Sequence, residues 1–218
     1  MTVKKEIVVD ARMIESSGIG TYLQEILPCL MEQFPLTLLG EARKLNQAFP
    51  DLSRNYKHIE VSAAIYSIRE QWALFRNIPA TSLGWSPHYN VPLLPVAAKF
   101  RLVTIHDVYH LAFQNQLSFL KKKYAQLMIK AATQRSARII TVSQFSKREI
   151  TKYTHVNPDK IVVIPNGVND RYFKTIADHN YLEMIHKKYN LPPQFLLFVG
   201  NVKPHKKFKS CFGSFATG

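Results

Sequence analysis

Two short stretches carry side chains whose type and position suit chemistry. TIHDVYH (104–110) places His106 and Asp107 directly after an apolar, β-branched run. Histidine is the side chain best suited to hydrogen bonding or proton handling near neutral pH. Asp107 could orient that imidazole or bind a sugar hydroxyl, while a structural role for His106 and simple packing for His110 stay open. SSGIGTY (16–22) places Gly18 and Gly20 where a helix should open. Glycine lets backbone N–H groups approach an anion, and a helix N-terminus adds a favourable dipole. The candidate chemistry is a phosphate cradle; the alternative is a turn that needs glycine for its conformation. TVSQFSK (141–147) follows another apolar run, and its Ser143 and Ser146 suit a helix N-cap and first turn. Neither serine sits in a nucleophile-elbow context. The chain contains no Asp-x-Asp, and no cysteine lies near His106 to complete a common zinc site, so no metal is expected.

These residues need strands and helices to hold them. Near-continuous apolar runs predict strands at 5–11, 35–41, 100–107, 137–143, 160–166 and 195–200. Apolar residues at helical spacing predict helices over 20–34, 64–76 and 117–137. Pro28 predicts a kink in the first. In the second, Ile65, Ile68, Trp72 and Phe75 form the apolar stripe; in the third, Leu120, Tyr124, Leu127 and Ala131 do. Residues 170–194 are polar, end in Pro192-Pro193 and read as a connection between two domains. The alternation of strand and helix implies an α/β fold, a Rossmann-like parallel sheet with helices on both faces. Ligands of such sheets bind beyond the carboxyl ends of the strands, where His106 and Gly18 fall.

The chain has 218 residues and a net charge of +14. The charge is uneven: residues 115–152 hold nine basic side chains and one acidic. Such a block implies an anionic partner, and charge alone does not choose among nucleic acid, lipid head groups and phosphorylated substrates. No apolar run approaches the length of a membrane span or a signal peptide, and the two cysteines, Cys29 and Cys211, are far apart. The expected location is the cytoplasm. Glu41, about 20 residues past the glycines, raises a nucleotide-cofactor Rossmann domain as a rival. The glycine spacing speaks against it, since ARMIESS intervenes after the strand and Leu23 stands where a third glycine belongs.

Five segments in order, WSPHYNVPLL (85–94), TIHDVYHL (104–111), ARIITVSQFSKREI (137–150), KIVVIPNGV (160–168) and FVGNVKPHK (198–206), resemble the retaining glycosyltransferases of family 4. The likeness is strongest to mannosyltransferases of bacterial surface-polysaccharide synthesis and covers roughly residues 7–206. It implies the N-terminal half of a GT-B fold, two facing Rossmann-like domains with acceptor and donor on opposite sides. The implied division is an acceptor-side domain at 1–190 and the start of a donor-binding domain at 191–218. The implied reaction is hexosyl transfer, with mannose from GDP-mannose the leading case, onto a lipid-linked glycan at the cytoplasmic membrane. The resemblance implies that Gly18, with Gly20, approaches the donor diphosphate, that His106 sits beside the transferred sugar, and that Lys206 neutralises the leaving diphosphate. Asn201 stands where many members carry an arginine, and Lys203 is the candidate substitute. No cofactor is implied. Lys121, Lys122, Lys123 and Lys130 would face anionic lipid or the acceptor's phosphates, with the chain peripheral on the inner face of the plasma membrane. Nucleic acid is not an expected partner. A non-catalytic module that holds an acceptor or partner is the other reading. The resemblance also implies that the chain stops soon after its second domain begins and is inactive alone. A frameshift at Lys206-Lys207-Phe208, an alternative C-terminus and a cloning boundary are all compatible with that.

Overall fold

The computed structural model describes residues 6–51, 55–112, 119–173 and 178–197; of His110, Lys121 and Arg171 it describes the backbone only. The chain divides into two compact units, Met1–Val168 and Asn169–Gly218. The expected domain boundary after residue 190 falls inside the second unit.

In the first unit the apolar runs become strands. These are β1 (Ile7–Asp10), β2 (Leu36–Gly40), β3 (Tyr56–Glu60), β4 (Thr81–Ser86), β5 (Ala98–Thr104), β6 (Arg138–Thr141) and β7 (Ile161–Val163). The helices are α1 (Ser17–Gln33), α2 (Ala42–Ala48), α3 (Ile68–Asn77), α4 (Tyr109–Ala112), α5 (Phe119–Arg135) and α6 (Gln144–Thr154). All strand pairs are parallel, in the order β3-β2-β1-β4-β5-β6-β7. The order reverses direction between β1 and β4. Right-handed crossovers therefore place helices on opposite faces for the two halves. The core agrees. Val9, Leu38 and Trp85 pack with Leu23 and Leu27 of α1 and Leu45 of α2. Their strand neighbours Val8 and Leu39 point the other way, onto Leu74 of α3. Val103 and Ile139 pack with Met128 and Ile129 of α5 and Ile150 of α6. The α/β, Rossmann-like reading holds.

Some elements differ from expectation. β3 and β4 carry few continuous apolar residues and pair nonetheless, because their neighbours β2 and β1 offer ladder partners. α1 runs through Pro28 without a break. In the second unit, residues 170–194 contain a 3-10 turn at Asp170–Phe173 and a helix, α7 (His179–Tyr189). Residues 195–197 of the expected last strand have no regular structure, and 198–200 lie outside the described residues. The apolar face of α5 is also displaced from the expected one. Leu120 and Leu127 are 79% and 52% exposed, whereas Ala125, Met128, Ile129 and Ala132 are buried. The small alanines let the helix approach the sheet, so the seam follows size as well as apolarity.

The two glycines of SSGIGTY divide by environment. A Cβ on Gly20 would lie 2.5 Å from the Ile14 carbonyl oxygen and 3.0 Å from its carbon, whereas one on Gly18 would meet nothing within 4 Å. Gly20→Ala is expected to cost about 1–3 kcal/mol, because backbone must move. Gly18→Ala should be neutral or stabilise by up to about 1 kcal/mol. Urea denaturation of both variants checks this, and equal midpoints would contradict it.

Candidate functional site

β1 and β4 are neighbours at the point where the strand order reverses, the position where such sheets bind ligands. Their carboxyl ends carry a buried polar network. Asp10 ends β1, and Arg12 lies two residues on. Arg12 Nε donates to Asp10 Oδ1 at 2.7 Å, and Nη2 donates to Asp10 Oδ2 and Glu70 Oε1, each at 2.6 Å. Exposure of these three side chains is 4% or less. Glu70 sits in the first turn of α3, which Ser67 caps by accepting from the Glu70 N–H at 3.1 Å. Asn90 Nδ2 donates to Glu70 Oε1 at 2.6 Å, and Tyr124 Oη of α5 donates to Asn90 Oδ1 at 2.6 Å. The Tyr66 N–H donates to Glu70 Oε2 at 2.8 Å. That bond accompanies a φ of 69° at Tyr66, a conformation costly for a residue with a Cβ.

Charge explains the protonation states. Burial alone would raise the Asp10 carboxyl, but the Arg12 charge and hydrogen bonds outweigh it and hold Asp10 well below the usual carboxylate range. Burial opposes the Arg12 cation too, and Asp10 and Glu70 more than offset it, so Arg12 stays charged. Burial, then the Glu70 charge, pushes the Tyr124 phenol up to about 12, which keeps it a donor. His88 Nδ1 accepts from the Asn90 N–H at 3.1 Å, and its buried Nε2, which makes no hydrogen bond among the described residues, lies 3.5 Å from Asp10 Oδ2.

His106 follows β5 on the same rim. Its Nε2 lies 3.1 Å from the Pro87 carbonyl oxygen, which can only accept, so Nε2 carries the proton. Burial pushes its pKa below the ordinary value, partly offset by the Pro87 bond and by Asp107. At neutral pH the ring is thus an imidazole with Nδ1 as an acceptor. Its edge-to-face partner is Tyr22 of α1, centroids 4.9 Å apart. Ser146 Oγ donates to the His106 carbonyl at 3.0 Å, and Ser143 Oγ donates to Ser146 Oγ and caps α6. The serines read as capping residues thereby also fix the histidine's backbone.

The remaining candidates disperse. Asp107 is exposed and accepts from the Tyr109 N–H at 3.0 Å; the orienting bond to His106 comes from Pro87 instead. Gly18 is exposed in the first turn of α1, where Ser16 supplies no side-chain cap. Gly20 is buried and its N–H donates to the Ser16 carbonyl, so that amide is taken. Lys203 and Lys206 lie outside the described residues. In the basic block, Lys123 and Lys130 are exposed and Lys122 is half-buried; the Lys121 side chain is not described. Arg135 and Lys147 donate to the carbonyls of Leu93 and Ile161, so part of the block is structural. The sequence reading missed Asp10, Arg12, Glu70, Asn90 and Tyr124. A signal existed in Asp10 and Arg12 at a strand's carboxyl end, but their partner Glu70 is 58 residues away from Arg12.

Comparison with known proteins resolves what this rim belongs to. The model of Glycosyltransferase Family 4 matches residues 17–172. The chain belongs to glycosyltransferase family 4. It is 31% identical over 123 residues to the O-antigen chain mannosyltransferase RfbU of Salmonella typhimurium, spanning 56% of this chain and 30% of RfbU. It is 22% identical over 144 residues to the serotype-specific mannosyltransferase WbdA of Escherichia coli, spanning 64% of this chain and 16% of WbdA. The fold is that of Anabaena HepE, solved with UDP-glucose, at a TM-score of 0.68 and 12% identity over 97% of this chain and 57% of HepE. A glycosyltransferase of Rickettsia africae gives 0.53 at 20% identity, over 87% and 50% of the two chains. The chain thus spans about half the length of these structures and less of the curated relatives.

The network makes a pH prediction for this family-4 domain. The folded Asp10 pKa lies below its unfolded value of about 3.9, so its stabilisation is complete above that value and is lost as pH falls below it. Urea midpoints should fall as pH drops below about 4. Asp10→Asn should cost about 3–5 kcal/mol at pH 7, because Arg12 loses a buried partner, and should flatten that acid slope. An unchanged slope in the variant would contradict the assignment.

Proposed function

We propose that this chain supplies the acceptor side of a retaining glycosyltransferase that moves a hexose, mannose from GDP-mannose in the leading case, onto a lipid-linked glycan. The family match across the strand-end rim carries this reading. His106 stands beside the transferred sugar, and its Nδ1 accepts a hydrogen bond from a sugar hydroxyl. Asp107, exposed on the same loop, is a further contact for sugar hydroxyls. The open N-terminus of α1 at Gly18 approaches the donor diphosphate, favoured by its dipole. Gly20 serves this indirectly, by letting α1 pack against the turn before it. Lys203 and Lys206 neutralise the diphosphate as it leaves, the point at which charge develops. Lys121, Lys122, Lys123 and Lys130 face the anionic inner membrane surface or the acceptor's phosphates. The mannosyl specificity rests on the relatives' names, and the donor's base and ribose would be held by the part of the family's length that this chain does not span. Sugar transfer requires both sides in register.

The purified chain is expected to bind a mannose-terminated lipid-linked glycan in detergent and to show no transfer from GDP-mannose. His106→Ala should weaken glycan binding several-fold. Calorimetry and a radiolabelled transfer assay measure both. Turnover by the chain alone, or binding of GDP-mannose without any binding of glycan, would overturn the acceptor-side assignment.

A further inference from the structure

α3 faces the wrong way for a core helix. Its buried side chains are Glu70 and Leu74, while Ile68, Trp72 and Phe75 are 83%, 54% and 42% exposed. These three form one stripe of about two turns. The stripe lies beside Arg69 and Arg76, both exposed, and the Arg76 guanidinium sits 6.0 Å from the Trp72 ring centroid. The helix's single acid, Glu70, points inward, so its outer face is apolar and basic. α5 continues the same surface. The Tyr66 and Tyr124 rings meet edge to face at 6.0 Å, joining the start of α3 to α5. There Phe119, Leu120 and Leu127 are exposed beside Lys123 and Lys130, and the helix has no acidic residue at all.

We infer that the α3 stripe is a membrane-docking face, with Ile68, Trp72 and Phe75 entering the head-group region of an anionic bilayer and Arg69, Arg76 and the α5 lysines holding its phosphates. An exposed apolar stripe alone would suit a protein partner as well. The exclusion of every acidic side chain from both helix faces selects an anionic surface. Tryptophan flanked by arginine is at home at the boundary between head groups and acyl chains. The inference extends the proposed membrane contact of α5 to α3. It shares with the proposed function a membrane-borne acceptor, but its readout needs no sugar.

The chain has two tryptophans, Trp72 and the buried Trp85, so a change in emission on docking reports Trp72. The 218-residue chain is titrated with vesicles of phosphatidylglycerol and phosphatidylcholine, and with phosphatidylcholine alone. Expected are a blue shift and quenching by brominated lipid with anionic vesicles only, both absent from Trp72→Phe. Ile68→Ser with Phe75→Ser should lower vesicle affinity roughly tenfold. It should leave the circular dichroism spectrum unchanged, since both side chains are exposed. Sedimentation with vesicles without a Trp72 response would overturn the inference by placing the contact elsewhere. No vesicle binding would overturn it, as would a shift that grows with protein concentration in the absence of lipid, which marks a second copy on the stripe. Failure of glycan binding with docking intact would count against the proposed function alone.

Discussion

A guanidinium cannot be buried without partners, and that constraint organises the rim of this domain. Arg12 has little access to water and lies between two carboxylates from distant parts of the chain. Such an arrangement adds little net stability compared with a well-packed apolar core, but breaking it leaves an unpaired buried charge. Its contribution is geometric. Asp10 fixes it to β1, Glu70 fixes α3 to it, and Asn90 carries the link through the β4–β5 loop to Tyr124 on α5. That loop also supplies Pro87, whose carbonyl orients His106.

The same constraint sets the rotation of α3. At 3.6 residues per turn, Ile68 and Trp72 each lie about 200° from Glu70 around the helix axis. A helix that must present Glu70 inward must therefore present Ile68 and Trp72 outward. Leu74, one turn from Glu70, follows it into the core. The site and the docking face are thus two sides of one electrostatic requirement. Tyr66 at the head of α3 bears the cost, held in a left-handed conformation by the second oxygen of Glu70.

This explains which features were legible in the sequence. β1 (IVVD) and β2 (LTLLG) are apolar runs, and β5 (AKFRLVT) and β6 (RIIT) are apolar toward their carboxyl ends; all four are interior strands, where burial on both faces favours that composition. β3 (YKHIE) is an edge strand with a half-exposed pattern and no apolar run to detect. β4 (TSLGWS) is central but contains Gly84, whose Cβ would come 3.0 Å from Ala98 Cβ, so its small residue answers to close strand packing. His106 was legible because strand-end position is local information. The Arg12 network was not, because its members are joined only by the fold. The apolar stripe of α3 was visible, but its outward orientation was not, since periodicity shows that a helix has two faces without showing which one a distant charge will claim.

The parallel order of the sheet also has a consequence for synthesis. β1 pairs on one side with β2, soon after it, and on the other with β4, Ile7 lying opposite Leu83. On a ribosome adding about 5–20 residues per second, that second edge waits on the order of ten seconds for its partner. During that interval the nascent chain holds a strand of Ile-Val-Val with one side unpaired. Arg12 meanwhile has Asp10 beside it and no Glu70. Completion of the central pairing and completion of the charge network therefore arrive nearly together, as α3 and β4 emerge. The earlier segment has every reason to remain loosely formed until then, and this is when the chain is most open to capture by a chaperone or by another copy's strand edge.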